Sequence, residues 1–179
     1  EILRSDWSSD VCSSDLMEPV SWFLTGMEKH SDRAEPEKFG DGELFFNTMR
    51  YNMAKLPENA LDAAMNQLSN HDHSRFLTRT NRRAGRMKDG FDDAGIGIDF
   101  GLFRLASMLL FTWPGAPTLF YGDEVGVYGW TEPDCRRPYP WGKEDLELLE
   151  YHRYLISHRK ASSALRTGNL MLLKSGRNW

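Results

Sequence analysis

The residues best suited to chemistry form the short segment NHDHSR at positions 70–75, directly after an apolar run. The segment combines an amide, two imidazoles, a carboxylate and a guanidinium. His71 and His73 have the His-x-His spacing of a metal-ligand pair, although no further His or Cys cluster accompanies them. Asp72 and His71 could equally form a structural pair at the end of a strand. These residues alone leave a ligand site and a structural pair open.

A second polar segment, DEVGVYGWTEPDCRRPYPW at positions 123–141, is rich in acidic, basic and aromatic residues. Arg136 and Arg137 lie among carboxylates, and salt bridges within the segment are a sufficient structural reason for both. For Arg137 we predict such a pair. We also predict that Cys135 is an unreactive thiol and that Trp141 packs in the core or against a helix end.

The elements that position these segments alternate between helix and strand. Apolar residues recur at helical spacing in three stretches that we predict to be helices, residues 43–56, 98–113 and 144–159. Residues 118–122 are β-branched and aromatic and predict a buried strand. Residues 61–68 have helical spacing, but the run is too short to decide between helix and strand.

This order is typical of an α/β fold, in which helices pack on a largely parallel sheet. The loops after the C-terminal ends of such strands carry the chemistry, because a rigid scaffold holds them. We therefore expect residues 70–75 and 123–141 to lie at the same edge of the sheet.

Composition argues against several classes of protein. The chain has 179 residues with 22 basic and 26 acidic side chains, so its net charge of −4 predicts no nucleic-acid partner. No apolar run approaches the roughly 20 residues of a membrane helix, so we expect no membrane partner. The two cysteines do not make a disulfide framework.

The first 16 residues differ from the rest. Residues 6–16, DWSSDVCSSDL, match the translation of a common sequencing-adapter oligonucleotide, so we set residues 1–16 aside as an artefactual tail. A natural disordered tail is the alternative. On the artefact interpretation the natural N-terminus is missing, and no inference about a signal peptide follows.

The motif NHDHSRF, followed by GAPTLFYGDEVGVYGWTEPDCRRPYPW at residues 115–141, resembles the α-amylase family of glycoside hydrolases. The DCRRP loop is similar to the cyclomaltodextrinase and neopullulanase branch. The resemblance implies a (β/α)8 TIM barrel followed by a β-sandwich. Residues 17–165 would be the C-terminal part of the catalytic barrel, and residues 166–179 the start of the β domain.

On that resemblance the chain covers about strands six to eight with their helices. The implied strands are residues 17–20, 62–69 and 118–122, and residues 169–173 would open the sandwich. The resemblance decides residues 62–69 in favour of a strand, since tertiary context overrides helical propensity. A complete barrel takes about 250 residues, so the nucleophile and the proton donor are expected on strands that this chain lacks.

The resemblance implies cleavage of α-glucosidic bonds with retention, which needs a nucleophilic carboxylate and a proton-donating carboxylic acid. It makes Asp72 the transition-state stabiliser, and it has His71 hydrogen-bond the sugar at the cleavage subsite. Both would hold the distorted sugar more strongly than the relaxed one. Asn70 would orient the turn, and Arg75 would pair with a carboxylate or with substrate.

The second segment resembles a donor-side sugar clamp. There Arg136 would bind a glucose hydroxyl with Glu132 beside it, at a position where the family often has Asp. Tyr128 and Trp130 would stack on the apolar faces of sugar rings.

The implied partner is an α-glucan oligosaccharide or a cyclodextrin, with starch and pullulan in the same substrate class. No metal or other cofactor is expected in this chain, while calcium and a homodimer are left open for the full-length protein. The resemblance alone favours a cytoplasmic location. We expect the chain by itself to be inactive. A glucosyl-transferring enzyme and a non-catalytic binding or scaffold barrel are the alternatives, and the intact NHD triplet at residues 70–72 argues against the second.

Overall fold

The computed structural model describes residues 16–176, which form helices, two short strands and long loops. The α-helices in that range are α1 (Met17–Thr25), α2 (Gly42–Met53), α3 (Glu58–Leu61), α4 (Phe76–Arg79), α5 (Phe100–Thr112), α6 (Leu146–Ala161) and α7 (Ser163–Thr167). The strands are β1 (Met65–Gln67) and β2 (Ala116–Thr118). Over residues 16–176, every helix is too short or too polar to cross a bilayer.

The two strands place both polar segments at one edge of the sheet. β1 and β2 pair in parallel, with Met65 opposite Ala116 and Gln67 opposite Thr118. Parallel strands have their C-terminal ends at a common edge, and the connection between them contains helices α4 and α5. The segments that follow the strands therefore leave from the same edge, which confirms the prediction from the sequence.

The three long predicted helices are confirmed as α2, α5 and α6. Each begins at an aspartate whose carboxylate accepts a hydrogen bond of 2.9 Å from the amide three residues on, and these caps are Asp41, Asp99 and Asp145. Their apolar faces meet in one core, to which they contribute Phe45, Met49, Phe103, Leu110, Leu148 and Leu155.

Residues 17–20, the implied sixth strand, are the first turn of helix α1 instead. The Val20 amide donates to the Leu16 carbonyl at 3.0 Å, and the helix ends at Gly26, which has a left-handed conformation with φ +73°. An acidic residue in the first turn and a glycine after the last turn favour a helix. The short run alone was compatible with a strand or with a loop entering a helix, and the strand that the resemblance implied here is wrong.

Of the other implied strands, residues 62–69 form only the shorter β1 (Met65–Gln67), and residues 118–122 share only Thr118 with β2 (Ala116–Thr118). Strand β2 begins directly after Gly115, which has φ +110° and where a Cβ would lie 2.7 Å from the Ala64 carbonyl oxygen, so only glycine fits there. Beyond Thr118 the chain leaves the sheet and turns, with the Asp123 amide donating to the Phe120 carbonyl at 3.1 Å. In the described part of the chain, residues 169–176 form no strand, so the implied first sandwich strand is not observed there.

The described residues begin at Leu16, the last residue of the set-aside tail. Residues 1–15 of the set-aside tail lie outside the described residues, as do residues 177–179 at the other end. Leu16 is described, and it is buried in the core beside Val20. Leu16 therefore packs with the residues that follow it.

Candidate active site

The turn after β1 is built around the side chain of Asn70. Its Oδ1 atom accepts hydrogen bonds from the backbone amides of Asp72 and His73, at 2.9 and 3.0 Å, and lies 2.7 Å from His73 Nδ1. Asparagine favours such turns because its short side chain bonds to the backbone a few residues on. Asn70 is itself buried, so the turn is fixed from within.

The turn presents His71 and Asp72 to solvent. The His71 Nε2 atom lies 3.3 Å from Asp72 Oδ1, and the Asp72 side chain remains 36% exposed. An accessible carboxylate next to an imidazole can hydrogen-bond the hydroxyl groups of a ligand and can stabilise nearby positive charge.

The second segment reaches this turn through Arg136. Its Nε atom donates to the His71 carbonyl at 3.0 Å, and its Nη2 atom lies 2.9 Å from Glu132 Oε1 and 3.9 Å from Asp72 Oδ1. The Cys135 thiol donates to the same His71 carbonyl at 3.1 Å. Two carboxylates, one guanidinium and one imidazole therefore meet at the sheet edge, on side chains that are all partly exposed.

Arg75, expected to pair with a carboxylate or with substrate, pairs with a carboxylate. Its side chain is 0% exposed, and Nη1 lies 2.8 Å from Asp123 Oδ1. The guanidinium also stacks on the Phe120 ring, at 3.9 Å from the ring centroid. Burial raises the pKa of the Asp123 carboxyl although Arg75 opposes the shift. Arg75 is corrected to a structural residue beneath the site, because it has no solvent contact.

Of the two aromatic residues proposed to stack on sugars, Trp130 is corrected. Trp130 is only 2% exposed, and its Nε1 atom donates to the Gly90 carbonyl at 3.1 Å. Tyr128 is half-buried against Gly95, with the Arg137 guanidinium 4.5 Å from its ring centroid. The Trp130 ring is therefore not free to pack on a sugar face, while stacking by the half-buried Tyr128 stays a prediction.

The structural predictions for Arg137 and Cys135 agree with the structure. Arg137 pairs with Asp134 through two hydrogen bonds of 2.9 Å, in the fork geometry that arginine favours. Burial raises the pKa of the Cys135 thiol, which keeps it protonated and poorly nucleophilic.

His73 points away from the exposed site. Its Nδ1 atom faces Asn70, and its ring lies 4.4 Å from the ring of His30. Burial, followed by the proximity of His30, lowers the pKa of His73 to about 3. His71 and His73 thus have different partners, and the described residues contain no group of three His, Cys, Asp or Glu side chains placed to hold a metal ion.

Sequence reasoning missed two features of the site. Asp123 anchors Arg75, which only the folded structure reveals, since 48 positions separate them. Trp141, predicted to pack in the core or against a helix end, is 81% exposed beside Tyr139. The prolines that flank Tyr139 in the motif RPYPW were the available signal, because proline holds a loop away from helices and strands.

The sequence comparisons agree with this geometry. Residues 20–167 match the family of the α-amylase catalytic domain. The chain is 34% identical over 153 residues to neopullulanase 2 of Thermoactinomyces vulgaris, and 32% identical over 143 residues to a cyclomaltodextrinase of a Bacillus species. These alignments cover 84% and 79% of this chain but 21% and 23% of the relatives. The chain therefore spans between a fifth and a quarter of their length.

Solved structures of two enzymes are similar in fold. A debranching enzyme from Nostoc punctiforme superposes with a TM-score of 0.68 at 27% identity, over 90% of this chain and 31% of that one. The ligand-free cyclic α-maltosyl-(1→6)-maltose hydrolase from Arthrobacter globiformis has a TM-score of 0.64 at 25% identity, over 89% and 31% of the two chains. The family has a TIM-barrel catalytic domain, and the β/α arrangement of residues 16–176 matches part of it.

Proposed function

Because the chain belongs to the α-amylase family of glycoside hydrolases, we propose that the protein of which it is part cleaves α-1,4-glucosidic bonds of an α-glucan with retention. The substrate class we propose is a maltodextrin, a cyclodextrin, starch or pullulan. The names of its relatives, a neopullulanase and a cyclomaltodextrinase, support that class.

One observation carries the proposal: the turn after β1 and the segment after β2 meet at Asp72 and Arg136. The separation of 3.9 Å between Arg136 Nη2 and Asp72 Oδ1 puts a positive and a negative group side by side at the sheet edge, close enough to contact one sugar unit. Had the two segments lain at opposite ends of the sheet, a common sugar site would have been excluded.

The exposed carboxylate and imidazole fit the chemistry of the transition state. Retaining cleavage develops positive charge at the anomeric carbon and flattens the sugar ring. We assign Asp72 to stabilise that state by holding the hydroxyls of the distorted ring and by its negative charge, and His71 to hydrogen-bond the same sugar. Interactions that strengthen only in the transition state raise the catalytic rate.

We assign Arg136 and Glu132 to the donor-side clamp. The Arg136 guanidinium has five N–H donors, and contacts with the His71 carbonyl and Glu132 fix its orientation. Its remaining donors can bind a sugar hydroxyl, and the half-exposed Glu132 carboxylate can accept from another.

We further propose that β1 and β2 are strands seven and eight of the barrel and that residues 166–179 lead into a β-sandwich. On this proposal the nucleophile and the proton donor lie on strands outside residues 16–176, and the isolated chain does not turn over substrate. The share of the relatives that the alignments cover, 21% and 23%, is in keeping with that division.

The anomeric form of the first product tests the proposal. A retaining enzyme acting on an α-glucan releases the α-anomer first, because two successive displacements restore the configuration. Proton NMR spectra are recorded in the first minutes after the full-length protein is mixed with maltoheptaose. They should show the product as the α-anomer, before mutarotation equilibrates the two anomers. Release of the β-anomer, or no release of reducing sugar, would contradict retaining hydrolysis.

A further inference from the structure

Tyr139 and Trp141 form an aromatic pair on the surface, in the same segment as Arg136. Their ring centroids lie 4.4 Å apart with the planes at 45° to one another, and Trp141 is 81% exposed. Tryptophan is normally well buried, and a large exposed aromatic surface marks a place of contact with another molecule.

The pair lies close to the candidate active site. Five residues of fully extended chain span at most about 18 Å, which bounds the distance from Arg136 to Trp141. The hydroxyl of Tyr121, a residue shortly after strand β2, donates to the Arg137 carbonyl at 2.9 Å, two positions before Tyr139. This contact ties the loop that carries the pair to the end of β2, at the sheet edge where Asp72 lies.

The loop that carries the pair is stiff. Pro138 and Pro140 fix their own backbone torsions on either side of Tyr139. The Trp141 amide donates to the Tyr139 carbonyl, and the Lys143 amide to the Pro140 carbonyl, both at 2.9 Å. A surface that is rigid before it binds loses little conformational entropy on binding.

We propose that Tyr139 and Trp141 form a further sugar-binding platform, which packs on a glucosyl unit of the same α-glucan chain beyond the units held at Asp72 and Arg136. This inference rests on the proposed function. An indole face packs well on the apolar C–H face of a glucose ring, while hydroxyls at the ring edge stay in water or bond to polar neighbours. The platform would strengthen the binding only of glucan chains long enough to reach from Asp72 and Arg136 to Trp141.

The test compares a long and a short substrate in the full-length protein. Trp141→Ala should lower kcat/KM for maltoheptaose about fivefold, the size of one aromatic stack, and leave the value for maltotriose unchanged. Trp141→Phe should retain most of the activity on maltoheptaose. Tyr154→Ala is the matched control, because Tyr154 is also an exposed aromatic, 63% exposed and stacked on His158, but lies on helix α6. It should change neither value.

An equal loss for both substrates, or no loss for either, would overturn the platform. Calorimetric binding of maltoheptaose separates this inference from the proposed function, because it needs no turnover. Weaker binding by the Trp141→Ala protein than by the wild type supports the platform even if no hydrolysis is found. Equal binding by the two overturns it even if hydrolysis is found.

Discussion

Arg75 and Asp123 form an ion pair closed to solvent, with 2.8 Å between Arg75 Nη1 and Asp123 Oδ1. The same guanidinium donates to the carbonyls of Tyr121 and Cys135, at 2.7 and 2.8 Å. One side chain from the turn after β1 therefore holds two parts of the segment after β2. Because Cys135 directly precedes Arg136, the position of Arg136 relative to Asp72 depends on this pair beneath them.

Removing the cation of that pair should destabilise the fold. Arg75→Met removes the cation that pairs with the buried Asp123 carboxylate, and we expect a loss of about 3–5 kcal/mol in the free energy of unfolding. The double variant Arg75→Met/Asp123→Leu should regain part of the loss. Urea titration of the full-length protein measures both.

Arg104→Met is the matched control, since Arg104 pairs at the surface with Glu147, and we expect a change of less than about 1 kcal/mol. A single Arg75→Met variant as stable as the wild type would contradict the structural role of the pair.

The buried His73 should make stability depend on pH. Its pKa is about 3 in the folded chain, against 6.5 as the ordinary value, so between these pH values the unfolded state binds more protons. Stability is then full above about pH 6.5 and falls as the pH is lowered toward 3, by at most about 1.4 kcal/mol per pH unit.

The variant His73→Gln can still donate to Asn70 but does not titrate. Lowering the pH from 7 to 5 should therefore destabilise the wild type more than the variant. The margin by which the wild type melts at the higher temperature should shrink. A constant or growing difference would show that His73 is not held neutral by burial.

Trp130 should affect stability and not substrate binding. Trp130→Phe keeps an aromatic ring but loses the hydrogen bond to the Gly90 carbonyl, so we expect a loss of about 1 kcal/mol in the free energy of unfolding. The KM for maltotriose should not change. A higher KM at unchanged stability would restore Trp130 as a sugar-stacking residue.

Arg136 should affect binding of the donor sugar. Arg136→Ala removes a charged hydrogen-bond donor from the proposed clamp, and we expect KM to rise about tenfold or more. Arg136→Lys should recover only part, because an ammonium lacks the planar fork. Arg153→Ala serves as the control, since Arg153 is an exposed arginine paired with Glu150 on helix α6. A KM for Arg136→Ala equal to that of the control would remove Arg136 from the clamp.

Helices α2, α5 and α6 could be predicted from the sequence because each long run buries one apolar face, and each has an aspartate cap at its start. The short strands could not be located in the same way. β1 is a strand because β2 lies beside it, and residues 17–20 adopt a helix that their short apolar run did not specify. The hydrophobic pattern of the sequence is enough to predict a long helix, whereas the structure of a short segment depends on what it packs against in the fold.

The polar site was predicted better than its aromatic surroundings. Asp72, His71, Glu132 and Arg136 come together as the motif resemblance implies, since each stands at the end of a strand or in the loop beyond it. Trp130 was expected to be open to a sugar but is buried, and Trp141 was expected to be packed but is exposed. Residue type alone does not reveal which loop covers which ring. Burial of Arg75 depends likewise on a distant partner, Asp123.

The carboxylate of Asp72 is the centre of the account, and its neutral isostere tests it most directly. Steady-state kinetics of the full-length protein should be measured for Asp72→Asn, with Asp92→Asn as the control because Asp92 is an exposed aspartate in the connection between helices α4 and α5. We predict that Asp72→Asn lowers kcat by orders of magnitude with a modest effect on KM, while the control keeps both values. An unchanged kcat for Asp72→Asn would contradict the assignment of Asp72 to the transition state.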